Sequence, residues 1–182
     1  MHYLHRILVN VGELKKQEGH RPSKEEVRYY AESSTEDYYN QAFDWRETDS
    51  AGRWRLDYPK QVYFASRDVE WFVNELKDVI AIQKDNIDSA MAQLRATCGT
   101  DLDKIIESLW RFNDKFDKQE DGTNDMTAYY LNKIAQTLHG DYKADSCFYN
   151  TDTYCARLYQ SDIDEVIKNP KNWALVMFDY HD

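Results

Sequence analysis

The sequence predicts an α+β fold, a small mixed sheet of about four strands with packed helices and a helical insertion at about 68–140. Three observations lead there. Strand-like segments stand near both ends of the chain, HYLHRILVNV and WALVMFDY. Between them lies a long stretch whose apolar residues recur at three- and four-residue steps, the period of a helix. The length, 182 residues, suits one domain with a self-sufficient core, so residues 1–182 are read as a single domain.

HYLHRILVNV has the β-branched and aromatic content of a strand, although Tyr3, Arg6, Leu8 and Asn10 form no clean polar face. ELKKQEGHRP reads as a polar loop. Ser23-x-x-Glu26 after Pro22 is a capping box, and it opens a helix over SKEEVRYYAESSTEDYYN. The run Ser33-Ser34-Thr35 is weak helix material, so an early end is allowed. QVYFA is a short strand. Ser66 or Asp68 then caps a helix reaching about Thr97, with Val69, Phe72, Leu76, Val79, Ile80, Ile87, Met91 and Leu94 on its apolar face. Gly99 stops it. Thr100-x-x-Asp103 starts another, with Leu102, Ile105, Ile106, Leu109, Phe112 and Phe116 on one side. A third helix runs from about Asp125 and ends at Gly140. DYKADSCFYNTD reads as loop, TYCARLY as a candidate strand, and Ser161-x-x-Asp164 as the start of a short helix halted at Asn169-Pro170. WALVMFDY is nearly all apolar, the pattern of a central strand covered on both faces.

Hydrophobic content of 42% with 31% charged residues fits a folded, soluble chain. No apolar run approaches the roughly 20 residues of a membrane span. The N-terminal segment alternates and no small-residue cleavage site follows it, so a cytoplasmic location is expected. Three cysteines, Cys98, Cys147 and Cys155, with no CxxC pair argue against a disulfide framework or a closed zinc site. The net charge is −10 and uneven: residues 1–60 carry 10 Lys+Arg against 11 Asp+Glu, residues 61–182 carry 13 against 22. Binding to naked DNA is therefore not expected, since phosphate neutralisation needs a cationic footprint. An acidic region can instead occupy a basic groove that ordinarily holds nucleic acid.

Candidate chemistry is sparse. His2-x-x-His5 has the look of a metal pair, but residues three apart on a strand point to opposite faces; both are read as solvent or edge histidines. His139 with Cys147 and Cys155 lacks zinc-ligand spacing. Acid pairs Glu25/Glu26 and Glu36/Asp37 flank a helix whose first turn favours negative charge anyway, and Asp101/Asp103 and Asp162/Asp164/Glu165 each open a helix. GxSxG, P-loop, HExxH and GxGxxG motifs are absent. No metal, cofactor or catalytic residue is assigned, and an enzyme is the less favoured class. Fourteen tyrosines are more unusual; Tyr29, Tyr30, Tyr38 and Tyr39 share one helical segment and suit either a binding surface or a core.

The segment FDWRETDSAGRWR, residues 43–55, concentrates the most specific side chains. Asp44-Trp45-Arg46 and Gly52-Arg53-Trp54-Arg55 bracket a polar turn and are compatible with a hairpin. Arg46 and Arg53 can stack on the indoles or pair with Asp44 and Glu47. Two readings stand: a structural corner, or a Trp/Arg interaction patch. MHYLHRILVNV followed by FDWRETDSAGRW resembles small proteins of phages and conjugative elements of Gram-positive bacteria, in which a D-W and a G-R-W flank a short turn. With its size and acidity, the chain is similar to type II-A anti-CRISPR proteins, which inhibit Cas9. The resemblance covers roughly the first third of the chain and implies an inhibitor acting on Cas9 or the Cas9–guide RNA complex, in the cytoplasm of a bacterial host, with guide loading or guide integrity the favoured step. It assigns no residue roles. Our own reading gives partner contact to Trp45, Arg46, Arg53, Trp54, Tyr38 and Tyr39, with Asp141, Asp145 and Asp152 as acidic contacts. The alternatives are a metal-dependent RNA nuclease and a non-catalytic accessory protein of a mobile element.

Overall fold

The computed structural model describes residues 1–101, 103–104, 126–143 and 146–181, and of residues 40–42, 97 and 98 the backbone alone. Its fold is α+β, as expected, and its sheet has five strands. The chain divides into two compact units, residues 1–82 with 140–182, and residues 83–139.

The first unit is built on two strands drawn from opposite ends of the sequence. β1 (His2–Asn10) and β5 (Trp173–His181) pair antiparallel over nine residue pairs, from His2↔His181 to Asn10↔Trp173. β4 (Phe148–Asn150) adds parallel to the free side of β1. On the free side of β5 sit two three-residue strands, one beyond the other. β2 (Trp45–Glu47) pairs with residues 179–181 and β3 (Val62–Phe64) with residues 174–176.

Period-two alternation sends the central strands into two cores. Ile7, Val9, Ala174, Val176, Phe178 and Tyr180 meet Val11, Leu14, Val27 and Ala31 of α1 (Val11–Glu18) and α2 (Lys24–Ser34). Leu8, Trp173, Leu175 and Met177 meet Phe72, Val73, Leu76 and Val79 of α4 (Val69–Cys98), with Ile163 and Val166 of α6 (Gln160–Lys168). The first eight residues of β5 are all buried, so its apolar run is a central strand covered on both faces.

Several local expectations are revised. ELKKQEGHRP is mostly helix, not loop. The Asn10 side chain accepts from Glu13 N–H at 3.1 Å, and Gly19 closes α1 in the left-handed region at φ 74. The helix from Lys24 breaks at Thr35 into α2 and α3 (Glu36–Ala42), since the Thr35 hydroxyl turns back to the Ala31 carbonyl (2.9 Å) and to the Tyr180 hydroxyl (3.0 Å). Asp68 rather than Ser66 caps α4, accepting from Trp71 N–H at 3.0 Å. CFYN contains β4, while TYCARLY is no strand and holds a single bridge, Asn150↔Cys155. The helix expected from Ser161-x-x-Asp164 begins one residue earlier, where Asp162 accepts from Tyr159 N–H at 2.8 Å.

The second unit contains residues 83–98 of α4 and all of α5 (Thr127–His139), with Ala90, Leu94 and Thr127 buried. This unit begins at residue 83, within α4, and the first part of α4 belongs to the sheet's core. The helix expected from Thr100-x-x-Asp103 lies, apart from residues 103–104, outside the described residues. Among the described residues no helix is long and apolar enough to cross a membrane.

The capping box at Ser23 closes in both directions, Glu26 N–H to Ser23 Oγ at 3.2 Å and Ser23 N–H to the Glu26 carboxylate at 2.6 Å. These bonds and His20 hold Glu26 down at about 2, from an ordinary 4.5. A depressed folded-state value means that the stabilisation is complete above pH 4.5 and lost as the pH falls towards 2. Replacing Glu26 with Gln is expected to lower the melting temperature at pH 7 and to lower it much less at pH 2.5, as differential scanning calorimetry at the two pH values will report.

Candidate functional site

FDWRETDSAGRWR forms no hairpin. β2 takes β5 as its partner, the turn descends through residues 48–51, and Gly52–Trp54 close as a 3-10 turn. The corner is pinned by a buried carboxylate. Asp179 is 1% exposed; one of its oxygens takes His2 Nδ1 at 2.9 Å and the other accepts from Arg53 N–H at 3.0 Å. Gly52 lies directly over that side chain at φ 55, and a Cβ there would come within 2.2 Å of Asp179 Oδ2. A charge taken out of water needs such hydrogen bonds in place.

Arg46 is equally internal. Its guanidinium is 9% exposed, bonds Glu32 at 3.2 Å and Glu36 more closely, and stacks 4.3 Å above the Tyr39 ring. It pairs with α2 and α3 rather than with Asp44 or Glu47, which corrects the expected partners. Asp44 bonds His181 at 2.6 Å instead, and that imidazole holds its carboxyl below the usual range. Tyr38 packs edge-on to Tyr142 at 5.0 Å and near Tyr149 at 5.3 Å. Burial drives the Tyr142 hydroxyl far above its ordinary value, so it stays neutral at physiological pH. Arg46, Tyr38 and Tyr39 therefore brace the fold, each with part of its surface still exposed. Of the corner, Trp45 remains 44% exposed and Arg53 is exposed, while Trp54 packs partly into the core.

The two histidines of His2-x-x-His5 do point to opposite faces. His2 is partly buried and holds Asp179. His5 is fully buried, not an edge residue: it stacks on Tyr180 at 4.4 Å and meets the Tyr142 hydroxyl at 2.7 Å through Nδ1. Arg6, also buried, donates to Glu75 and to the Tyr58 hydroxyl, both at 3.0 Å, and Tyr58 donates to the same Glu75 oxygen at 2.9 Å. Sequence reasoning missed this closed triangle because its members come from three distant segments. Among the described residues no group of three or more His, Cys, Asp or Glu side chains could hold a metal ion.

Among the described residues, two exposed surfaces bear on binding. One is the turn between β4 and Cys155. Asn150, 1% exposed, sits beneath it: its Oδ1 accepts from Asp152 N–H at 2.9 Å and its Nδ2 donates to Asp162 at 3.3 Å. Asn10 donates to Asp152 at 3.2 Å. Burial raises the Asp162 carboxyl above its ordinary range. From this acid-bearing turn Tyr154 projects 71% exposed with φ 55, the left-handed region, which disfavours a bulky side chain. Tyr159, 43% exposed, stands nearby in sequence with the Arg157 guanidinium 4.8 Å over its ring. Asp152 thus falls in this surface. Asp141 is exposed and follows Gly140, whose carbonyl accepts from Ala156 N–H at 2.8 Å at the foot of the same turn. Asp145 lies outside the described residues.

The other surface is a cleft beside β3, about 290 Å³, lined by Lys24, Lys60, Tyr63, Arg67, Asp68 and Trp71 among others. The Tyr63 and Trp71 rings lie 4.5 Å apart at 30°. Lys60 N–H donates to the Tyr63 hydroxyl at 3.1 Å.

No family model, no curated protein and no solved structure matches the chain.

The Asp179 clamp makes a direct comparison possible. An alanine at either Gly19 or Gly52 accepts a left-handed backbone, a cost of about 1–2 kcal/mol. At Gly19 nothing lies within 4 Å of the added Cβ, while at Gly52 it collides with Asp179. Urea unfolding is expected to place Gly52→Ala at least about 2 kcal/mol below Gly19→Ala, the scale of overpacking a closed site.

Proposed function

We propose that the chain acts by binding a basic, nucleic-acid-handling protein, and that this partner is Cas9, alone or with its guide RNA. The observation that carries the reading is the acid-bearing turn with Tyr154 at its tip. The backbone there accepts an unfavourable left-handed conformation while the aromatic ring stays 71% exposed. Strained backbone concentrates at functional positions. Tyrosine supplies large contact area at low entropic cost, and an acidic surround steers it towards a cationic groove. The uneven charge of the chain, concentrated beyond residue 60, supports the same partner chemistry. The resemblance of the N-terminal third to type II-A anti-CRISPR proteins supplies the name of the partner.

In this reading the corner at residues 43–55 keeps β2 on the sheet, and Trp45 is its one exposed large apolar side chain available for contact. Catalysis is not invoked. Inhibition follows from occupying a channel that guide or target must enter, where the protein reads backbone charge and shape.

The test is target cleavage by purified Cas9 loaded with guide in the presence of excess chain, followed by size exclusion. Loss of cleavage and co-elution are expected. The double variant Asp152→Lys/Tyr154→Ala, in exposed positions, is expected to weaken inhibition at least tenfold, the usual reach of one anchor and one reversed charge, with an unchanged circular dichroism spectrum. Undiminished cleavage with no complex removes Cas9 as the partner. Degradation of guide RNA by the chain alone with magnesium or manganese replaces binding with nuclease action.

A further inference from the structure

The cleft beside β3 stands apart from the acidic turn, and its chemistry is opposite in sign. On a chain of net charge −10, three cations converge on it, Lys24, Lys60 and Arg67, with Asp68 as its acid. All three are solvent-exposed, and among the described residues none has a carboxylate within ion-pair distance. Asp68 is already engaged as the cap of α4 through Trp71 N–H. The lining therefore carries two positive charges in excess. The first residues of α2 and α4, Lys24 and Val69, lie in or beside the cleft, so the positive ends of two helix dipoles add to the same field.

The wall is aromatic. Tyr63 and Trp71 lie 4.5 Å apart with their planes tilted by 30°, and Tyr58 meets both edge-on, at 6.3 Å from Tyr63 and 6.4 Å from Trp71. The group is held from behind, because the Tyr58 hydroxyl belongs to the buried Arg6–Glu75 triangle. The rings are thus a fixed platform. A rigid aromatic surface beside exposed cations selects a ligand with a flat ring and a negative group in one molecule. A carboxylate would neutralise one of the two excess charges. A phosphate monoester, near −2 at neutral pH, neutralises both. The volume, about 290 Å³, is at the lower end of small-molecule sites and admits one nucleotide rather than a strand.

We propose that this cleft is a nucleoside monophosphate site, with the base laid on the Tyr63–Trp71 platform and the phosphate held by Lys24, Lys60 and Arg67. The proposal is independent of the partner assigned above. It is also compatible with an acidic chain that avoids naked DNA, since one phosphate monoester needs only a local positive field. The shared chemistry has two sources, a free nucleotide or the phosphorylated end of an RNA.

Isothermal titration of the full chain with 5′-AMP, at low salt, is the direct test. Adenosine, inorganic phosphate and phenyl phosphate are the comparison ligands, and a 5′-phosphorylated RNA tetramer separates the two sources. AMP is expected to bind with a Kd on the order of 100 µM, and each comparison ligand at least about tenfold more weakly, because each lacks the phosphate, the ring or the base. Lys60→Ala/Arg67→Ala, a change confined to exposed side chains, is expected to weaken AMP about tenfold and to flatten its salt dependence. Tighter binding of the tetramer assigns the site to an RNA end; equal binding assigns it to the free nucleotide. The proposal is overturned by absence of binding at 5′-AMP in the millimolar range, where a site of that affinity is saturated. It is equally overturned by affinity for phosphate or phenyl phosphate that equals that for AMP, or by an AMP affinity that the double variant leaves unchanged.

Discussion

Everything in the first unit hangs on the pairing of β1 with β5. Nine residue pairs join positions 2–10 to positions 173–181, and every other strand attaches to one of these two. The pairing closes nearly the whole sequence into one loop. Loop-closure entropy grows only slowly with length, so the thermodynamic penalty is tolerable. The kinetic one is larger, because non-local strand pairing must form before it is rewarded. The burial of β5 on both faces supplies the reward: Ala174, Val176 and Phe178 enter one core, Leu175 and Met177 the other.

The Asp179 clamp shows how that central strand also organises the surface. A carboxylate near the end of a buried strand must find donors, and it finds them in His2 across the ladder and in the backbone of Arg53. The corner at residues 43–55 is thereby fastened from below. Of its conspicuous side chains, Arg46 is clamped to Glu32 and Glu36 and Trp54 packs partly into the core, while Trp45, Arg53 and Arg55 stay on the surface. The strained Tyr154 and the cationic cleft by Lys60 lie outside this corner.

The sequence made the long-range frame legible and the short pieces obscure. WALVMFDY announced a doubly covered strand because no polar face interrupts it, and the Ser23 box marked the start of α2. α1 was hidden because Gly12, Lys15, Lys16 and Gln17 dilute its apolar stripe to Val11 and Leu14. β4 was hidden because three residues, Phe148–Asn150, are too few to show a period. The hairpin expected at Trp45 failed for a different reason: strand pairing is a tertiary choice, and β5 offered a better-buried edge than the nearby segment. His5 read as an edge residue because its partner Tyr142 is 137 positions away. The cleft was invisible for the same reason, since Lys24, Lys60 and Trp71 meet only once the helices have packed.

The antiparallel ladder sets His2 directly across from His181, at the outer end of the pairing. Stretching the molecule between those two positions pulls the strands apart sideways and breaks the ladder one hydrogen-bonded pair at a time. The pairing on which the first unit is built thus resists tension poorly, in the manner of a zip rather than a shear joint.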